Sequence, residues 1–191
     1  MKTGLFFGSF NPIHVGHLII AESALNETGL DEIWLMVSPQ NPLKNKASLA
    51  GEFDRLKMAE LAIGNHPRIK ASNFEFYLPK PSYTIDTLTH LKEKYPKTDF
   101  SLIMGEDNLL QLPKWKNYEA ILKYYSIMVY PRMLKEKSEV PKYENVTYFE
   151  LPYLDISATR IRELISKGKS VQYQIGNDVW EYIKKHRLYG A

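Results

Sequence analysis

Gly8-Ser-Phe-Asn-Pro-Ile-His14-Val-Gly16-His17 holds the densest set of chemistry-bearing residues in the chain. It follows a short apolar stretch from Thr3 to Gly8 and runs into a helical apolar pattern from Val15 to Asn26, so His14 and His17 share the first turn of a helix. A glycine after a strand lets backbone approach a ligand, Pro12 stiffens the turn, and the free N–H groups of a helix N-terminus suit an anion. Two imidazoles there would donate to phosphate oxygens and add positive charge where negative charge grows in phosphoryl or nucleotidyl transfer. A bare pair of histidines at this spacing also reads as capping or packing residues. A metal pair is the poorer reading, because no third ligand has motif-like spacing.

Three further segments carry polar groups at strand or helix ends. Ile156-Ser157-Ala-Thr159-Arg160-Ile-Arg162 reads as a capped helix start, with hydroxyls able to accept from orphan N–H groups and guanidinium donors near the positive helix end. Gly105-Glu-Asp107-Asn-Leu-Leu-Gln-Leu-Pro-Lys-Trp115 begins at a strand end, and Ser82-Tyr83-Thr84-Ile-Asp86-Thr87 precedes a helix that Ser82 or Thr84 would cap. Two decoys fall away. Gly168-Lys169-Ser170 imitates the end of a P-loop but has Glu163 where the first glycine belongs and follows a helix rather than a strand. Gly8 and Gly16 are too far apart for the glycine pattern of a redox dinucleotide site.

The first segment resembles the phosphate-binding signature of the nucleotidylyltransferase superfamily, G-[TS]-F-[DN]-P followed by [HT]-x-G-H, and the second resembles its I-S-x-T-x-[IV]-R. Nearly the whole chain is similar to bacterial nicotinate-nucleotide adenylyltransferases. That resemblance implies ATP contacts from Gly8, Ser9, Phe10, His14, His17, Gly105, Asp107, Ser157, Thr159 and Arg162. It implies contacts with nicotinate mononucleotide from Ser82, Tyr83, Thr84 and Trp115, with the indole stacking on the pyridine ring. Asn41-Pro-Leu-Lys44 stands where the family has P-P-H-K and makes Lys44 a phosphate contact. His14, His17, Lys44 and Arg162 are then the catalytic set, with His17 first for transition-state stabilisation. Mg²⁺ would be carried by the ATP phosphates, near Asp107, with no protein metal site. Tyr130-Pro131-Arg132 inverts the usual Arg-Pro-Gly order and leaves Arg132 unassigned, as Arg160 is. The implied activity is transfer of AMP from ATP to nicotinate mononucleotide. The nicotinamide mononucleotide and phosphopantetheine enzymes are the nearest alternatives, and a non-catalytic nucleotide-binding module is the more distant one.

These groups need a scaffold, and the chain reads as one. Apolar strand-like segments at Thr3–Gly8, Asp31–Ser38, Arg68–Ser72, Asp99–Met104, Ser126–Tyr130 and Val146–Leu151 alternate with helical patterns, two more of which follow at Ser157–Lys167 and Asn177–His186. Such alternation predicts an α/β Rossmann-like doubly wound fold, mostly parallel, with helices on both faces and ligands beyond the strand C-termini. One domain over 1–191 is expected, about 1–155 forming the core and about 156–191 a small C-terminal helical subdomain that completes the ATP site. Met133 to Glu144 reads as an exposed loop. With 191 residues and no cysteine, structural disulfides and thiolate metal sites are excluded. The longest apolar run, Ile33 to Val37, is far short of a membrane span, and a net charge of +3 is too weak for nucleic acid. The N-terminus lacks the pattern of a secretory signal, so a cytoplasmic protein is expected. The oligomeric state is left open.

Overall fold

The structure is a computed structural model that describes residues 1–39, 49–132, 141–152 and 155–191. Lys44, with the Asn41–Lys44 match, lies outside the described residues, as do residues 133–140 of the expected loop. Six strands are described: β1 (Lys2–Gly8), β2 (Glu32–Val37), β3 (Ile69–Ser72), β4 (Asp99–Gly105), β5 (Ser126–Tyr130) and β6 (Val146–Tyr148). All pair in parallel in the order β3-β2-β1-β4-β5-β6. The connections are α1 (Val15–Glu27), α2 (Glu52–Ile63), α3 (Thr84–Lys94), α4 (Glu106–Gln111) and α5 (Tyr118–Tyr124), followed by α6 (Ala158–Ser166) and α7 (Asn177–Lys185).

Continuous apolar strands bury both faces of such a sheet, and the side chains divide between them with period two. In β2, Ile33, Leu35 and Val37 join one core with Ile20 and Ala21 of α1 and Met58 of α2. Trp34 and Met36 join the opposite core with Leu88 and Leu91 of α3 and Ile121 of α5. The C-terminal helices belong to the first core through the i, i+4 pairs Ile161/Ile165 and Val179/Ile183. Tyr182 Oη also donates to Asp54 Oδ1 at 2.9 Å, tying α7 to α2.

The chain crosses one face after β1 and β2 and the other after β3 and β4. The order therefore reverses between β1 and β4, where Phe6 pairs with Ile103. Diverging loops at that switch leave a crevice beyond the strand ends. Gly8 ends one of these strands and Gly105 the other.

Three local expectations change. The last strand is Val146–Tyr148 rather than Val146–Leu151, and its exposed Thr147 and Tyr148 mark it as the sheet edge. Helix α3 has Tyr83, not Ser82 or Thr84, at its N-cap and no side-chain cap bond. No helix is expected directly after β4, yet the short helix α4 lies there; Gly105 at its N-cap with Glu106 and Asp107 in the first turn is the signal for it.

Leu5 is fully buried in the second core, whereas Tyr173 is 84% exposed. In urea unfolding, Leu5→Ala should cost about 2–5 kcal/mol. Tyr173→Ala should stay within about 0.5 kcal/mol.

Candidate active site

Beyond β1, Ser9–His14 turn across the C-terminal edge of the sheet and deliver His14 to the N-cap of α1. Phe10 adopts φ +45°, a left-handed conformation that a bulky residue holds only under constraint, and its ring is buried. That ring meets His17 edge-on at 5.0 Å, while the His14 and His17 rings stack at 3.7 Å. Gly16 makes the stack fit, because a Cβ there would lie 3.0 Å from His14 Nδ1.

His14 N–H donates to His17 Nδ1 at 3.2 Å, whereas His14 Nδ1 is buried with no hydrogen-bond partner. In this arrangement His17 Nδ1 carries no proton, so the ring's donor is Nε2. Burial, and secondarily the charge of Arg132, push His14 down from 6.5 to about 4. The expected positive charge is therefore not supplied by His14, which is a neutral imidazole at pH 7.

The C-terminal motif meets this loop directly. Arg162 Nη1 donates to the Asn11 carbonyl at 2.7 Å and Nη2 to Thr159 Oγ1 at 3.3 Å. Ser157 is the true N-cap of α6, accepting from Arg160 N–H at 3.2 Å, while the Arg160 side chain turns outward to Glu163 at 3.3 Å. Thr159 and Arg162 line a cleft of about 560 Å³ with Ala50, Ser166, Arg187 and Tyr189.

Across the crevice, Asp107 rises from the first turn of α4. Glycine at 105 leaves room for this placement, since a Cβ would meet the Asp107 carboxylate and lie 3.1 Å from the Tyr130 ring. Arg132 Nε stands 3.8 Å from Asp107 Oδ1, an oxygen that is buried without a hydrogen bond. Arg132, unassigned in the sequence, is thus placed between Asp107, the Tyr130 ring and His14. On the far side, Lys116 joins the two segments expected to meet the mononucleotide. Its ammonium is 2.9 Å from Asp86 in the first turn of α3 and 4.8 Å from the Tyr83 ring, beside half-buried Trp115. Glu75 is buried under the same turn, with Thr87 Oγ1 donating to it at 2.7 Å. Burial pushes its carboxyl up, and hydrogen bonds from Thr87, Ser38 and Ser82 oppose that rise.

Three supporting residues escape a sequence reading. Arg55 is fully buried and donates to Ser9 O and Ser38 O at 2.7 Å, Pro39 O at 2.8 Å and Ala50 O at 3.0 Å. Its signal is a charge at the head of the buried stripe Arg55, Met58, Ala59. Asn11 Oδ1 accepts from Tyr189 Oη at 2.7 Å and from Ala50 N–H at 3.1 Å. Tyr189, whose hydroxyl is pushed well up by burial, carries no sequence signal for that contact.

A parallel sheet with histidines, an arginine and helix N-termini gathered at its switch point is the architecture of a nucleotide-binding α/β class, and the chain belongs to the cytidylyltransferase-like family, whose profile matches residues 5–164. It is 53% identical over 189 residues to a Cytophaga hutchinsonii protein named probable nicotinate-nucleotide adenylyltransferase, covering 99% of this chain and 98% of that one. A Flavobacterium johnsoniae protein of the same name is 50% identical over 191 residues, with 99% of each chain covered. The solved Plasmodium falciparum nicotinic acid mononucleotide adenylyltransferase complexed with NaAD shares the fold. Its TM-score is 0.83 at 21% identity, covering 98% of this chain and 97% of that one. Within the family the chain belongs with the nicotinate-nucleotide adenylyltransferases.

Because the folded pKa of His14 lies below its unfolded value, the unfolded chain binds more protons between pH 6.5 and about 4. The stability associated with neutral His14 is present above pH 6.5 and is lost as pH falls through that window. Relative to His14→Asn, the wild type should lose about 3 kcal/mol of unfolding free energy between pH 7 and pH 4 in paired urea titrations. An unchanged difference would show that the imidazole titrates alike in both states.

Proposed function

We propose that this enzyme transfers AMP from ATP to the 5′-phosphate of nicotinate mononucleotide, forming the deamido form of NAD and releasing pyrophosphate. The observation that carries this reading is the contact of Arg162 with the Asn11 carbonyl, 2.7 Å, which brings the α6 motif onto the loop that presents His14 and His17. A polyphosphate spanning the N-termini of α1 and α6 meets backbone N–H groups, His17 Nε2–H and the Arg162 guanidinium. Ser157, Thr159 and Gly8–Phe10 complete the ATP contacts. Asp107 and Gly105 take the adenosine side, and Ser82, Tyr83, Thr84 and Trp115 take the mononucleotide.

The acceptor needs no strong protein base. A phosphate monoester has its second pKa near 6 and is mostly dianionic at pH 7. Catalysis then consists of aligning its oxygen with the α-phosphorus and stabilising the charge that develops on the transferring group. Neutral His14 and His17 serve as fixed hydrogen-bond donors, while Arg162 and Lys44 supply charge. No group of three His, Asp or Glu side chains that could hold a metal occurs among the described residues. Mg²⁺ would be held chiefly by ATP oxygens, and Asp107, whose buried Oδ1 accepts no hydrogen bond, is the protein carboxylate that could assist it. Bound there, Mg²⁺ would neutralise charge on the departing pyrophosphate. Among the described residues no helix is long and apolar enough to cross a membrane, and we place this single-domain enzyme in the cytoplasm.

Pyrophosphate release from ATP, measured in parallel with nicotinate mononucleotide, nicotinamide mononucleotide and phosphopantetheine, tests the acceptor. Highest kcat/KM with nicotinate mononucleotide is expected, and preference for either of the others would displace the reading. His17→Ala should lower kcat by about 100-fold at saturating substrates, in the range of lost oxyanion donors, with little change in mononucleotide KM. Trp115→Ala should raise the mononucleotide KM by about tenfold, as expected for a lost ring stack of about 1.4 kcal/mol, and leave the ATP KM near wild type.

A further inference from the structure

Arg55 projects from α2 away from solvent, and among the described residues none of its hydrogen-bond partners is a carboxylate. Its donors go to four main-chain carbonyls: Ser9, Ser38, Pro39 and Ala50. A guanidinium that gives up water for carbonyls alone is costly to bury, and its five fixed donors impose one geometry on the groups that satisfy it.

The bond to Ser9 has a directional consequence. The Ser9–Phe10 peptide is not among the cis bonds of the described residues, and in a planar trans peptide the C=O and the following N–H point in opposite directions. With the Ser9 carbonyl drawn inward at 2.7 Å, the Phe10 N–H is turned away from Arg55, and it has no partner among the described residues. The same clamp maintains φ +45° at Phe10, whose ring supports His17 at 5.0 Å.

We propose that Arg55 is a positioning residue of the phosphate site: by holding the Ser9 carbonyl it aims the Phe10 N–H at the polyphosphate and sets the ring on which His17 rests. The proposal rests on reading Ser9–Asn11 as the phosphate loop. It adds a residue that touches no substrate yet governs phosphate affinity and turnover.

Arg55→Lys keeps the charge but replaces the planar fork with a single ammonium. In this variant, affinity for inorganic pyrophosphate, measured by calorimetry, should fall at least tenfold. The kcat should fall by a similar factor while the KM for nicotinate mononucleotide stays within twofold. All three are read well below the variant's melting temperature. Wild-type pyrophosphate affinity and kcat, with only the melting temperature lowered, would reduce Arg55 to a structural role and overturn the proposal. Should the variant not fold, the wild-type protein decides: pyrophosphate must shift the ¹⁵N–¹H resonance of Phe10, and a resonance that does not respond overturns it. A wild-type enzyme that binds pyrophosphate but does not turn over nicotinate mononucleotide would count against the acceptor assignment and leave the Arg55 result readable.

Discussion

Arg55 from α2 and Arg162 from α6 reach the Ser9–Asn11 loop, one on the Ser9 carbonyl and the other on the Asn11 carbonyl, each at 2.7 Å. A loop that binds phosphate through its N–H groups has to be held by its carbonyls, since each peptide plane carries both. The two guanidiniums meet that constraint with donors whose directions are rigid. Asn11 reinforces it by joining the C-terminal turn, through Tyr189, to Ala50. The positions of the histidines, the seat of Phe10 and the placement of α6 all depend on this bracing.

Burial gives the imidazoles their character. Stacked at 3.7 Å and capped by Phe10, the rings lie at the foot of α1, where a charged His14 would be poorly solvated and close to Arg132. A neutral His14 suits the proposed reaction, because a donor that is already oriented needs little reorganisation as charge develops. Arg162, by contrast, brings a guanidinium to the same loop. The opposite wall works differently: Lys116, Asp86 and Tyr83 tie α3 to the segment bearing Trp115 by half-exposed contacts. Those contacts register the two segments proposed to hold the mononucleotide without rigidly fusing them.

Much of this was legible along the chain because it depends on local rules. The strand segments and the apolar faces of the helices follow from period two and period 3.6. The stacking partners His14 and His17, and the Ser157 cap, follow from their positions in a helical first turn. Helix α4 is not legible because its six residues carry too little periodicity, and the expected cap from Ser82 or Thr84 does not form because the backbone enters α3 at Tyr83.

What the sequence determined by itself was the alternation of elements and the list of groups facing the strand ends, since both repeat with the geometry of a single helix or strand. Tertiary structure alone decided which of those groups meet. Arg162 and Asn11 are 151 residues apart, Tyr189 and Asn11 178, and the four acceptors of Arg55 come from two connections, one after β1 and one between β2 and α2. Their encounter depends on the strand order, which reverses at β1 and β4. The neutrality of His14 depends on what is then packed around it. Neither follows from spacing, because burial and hydrogen-bond partnership are properties of the folded neighbourhood rather than of the chain.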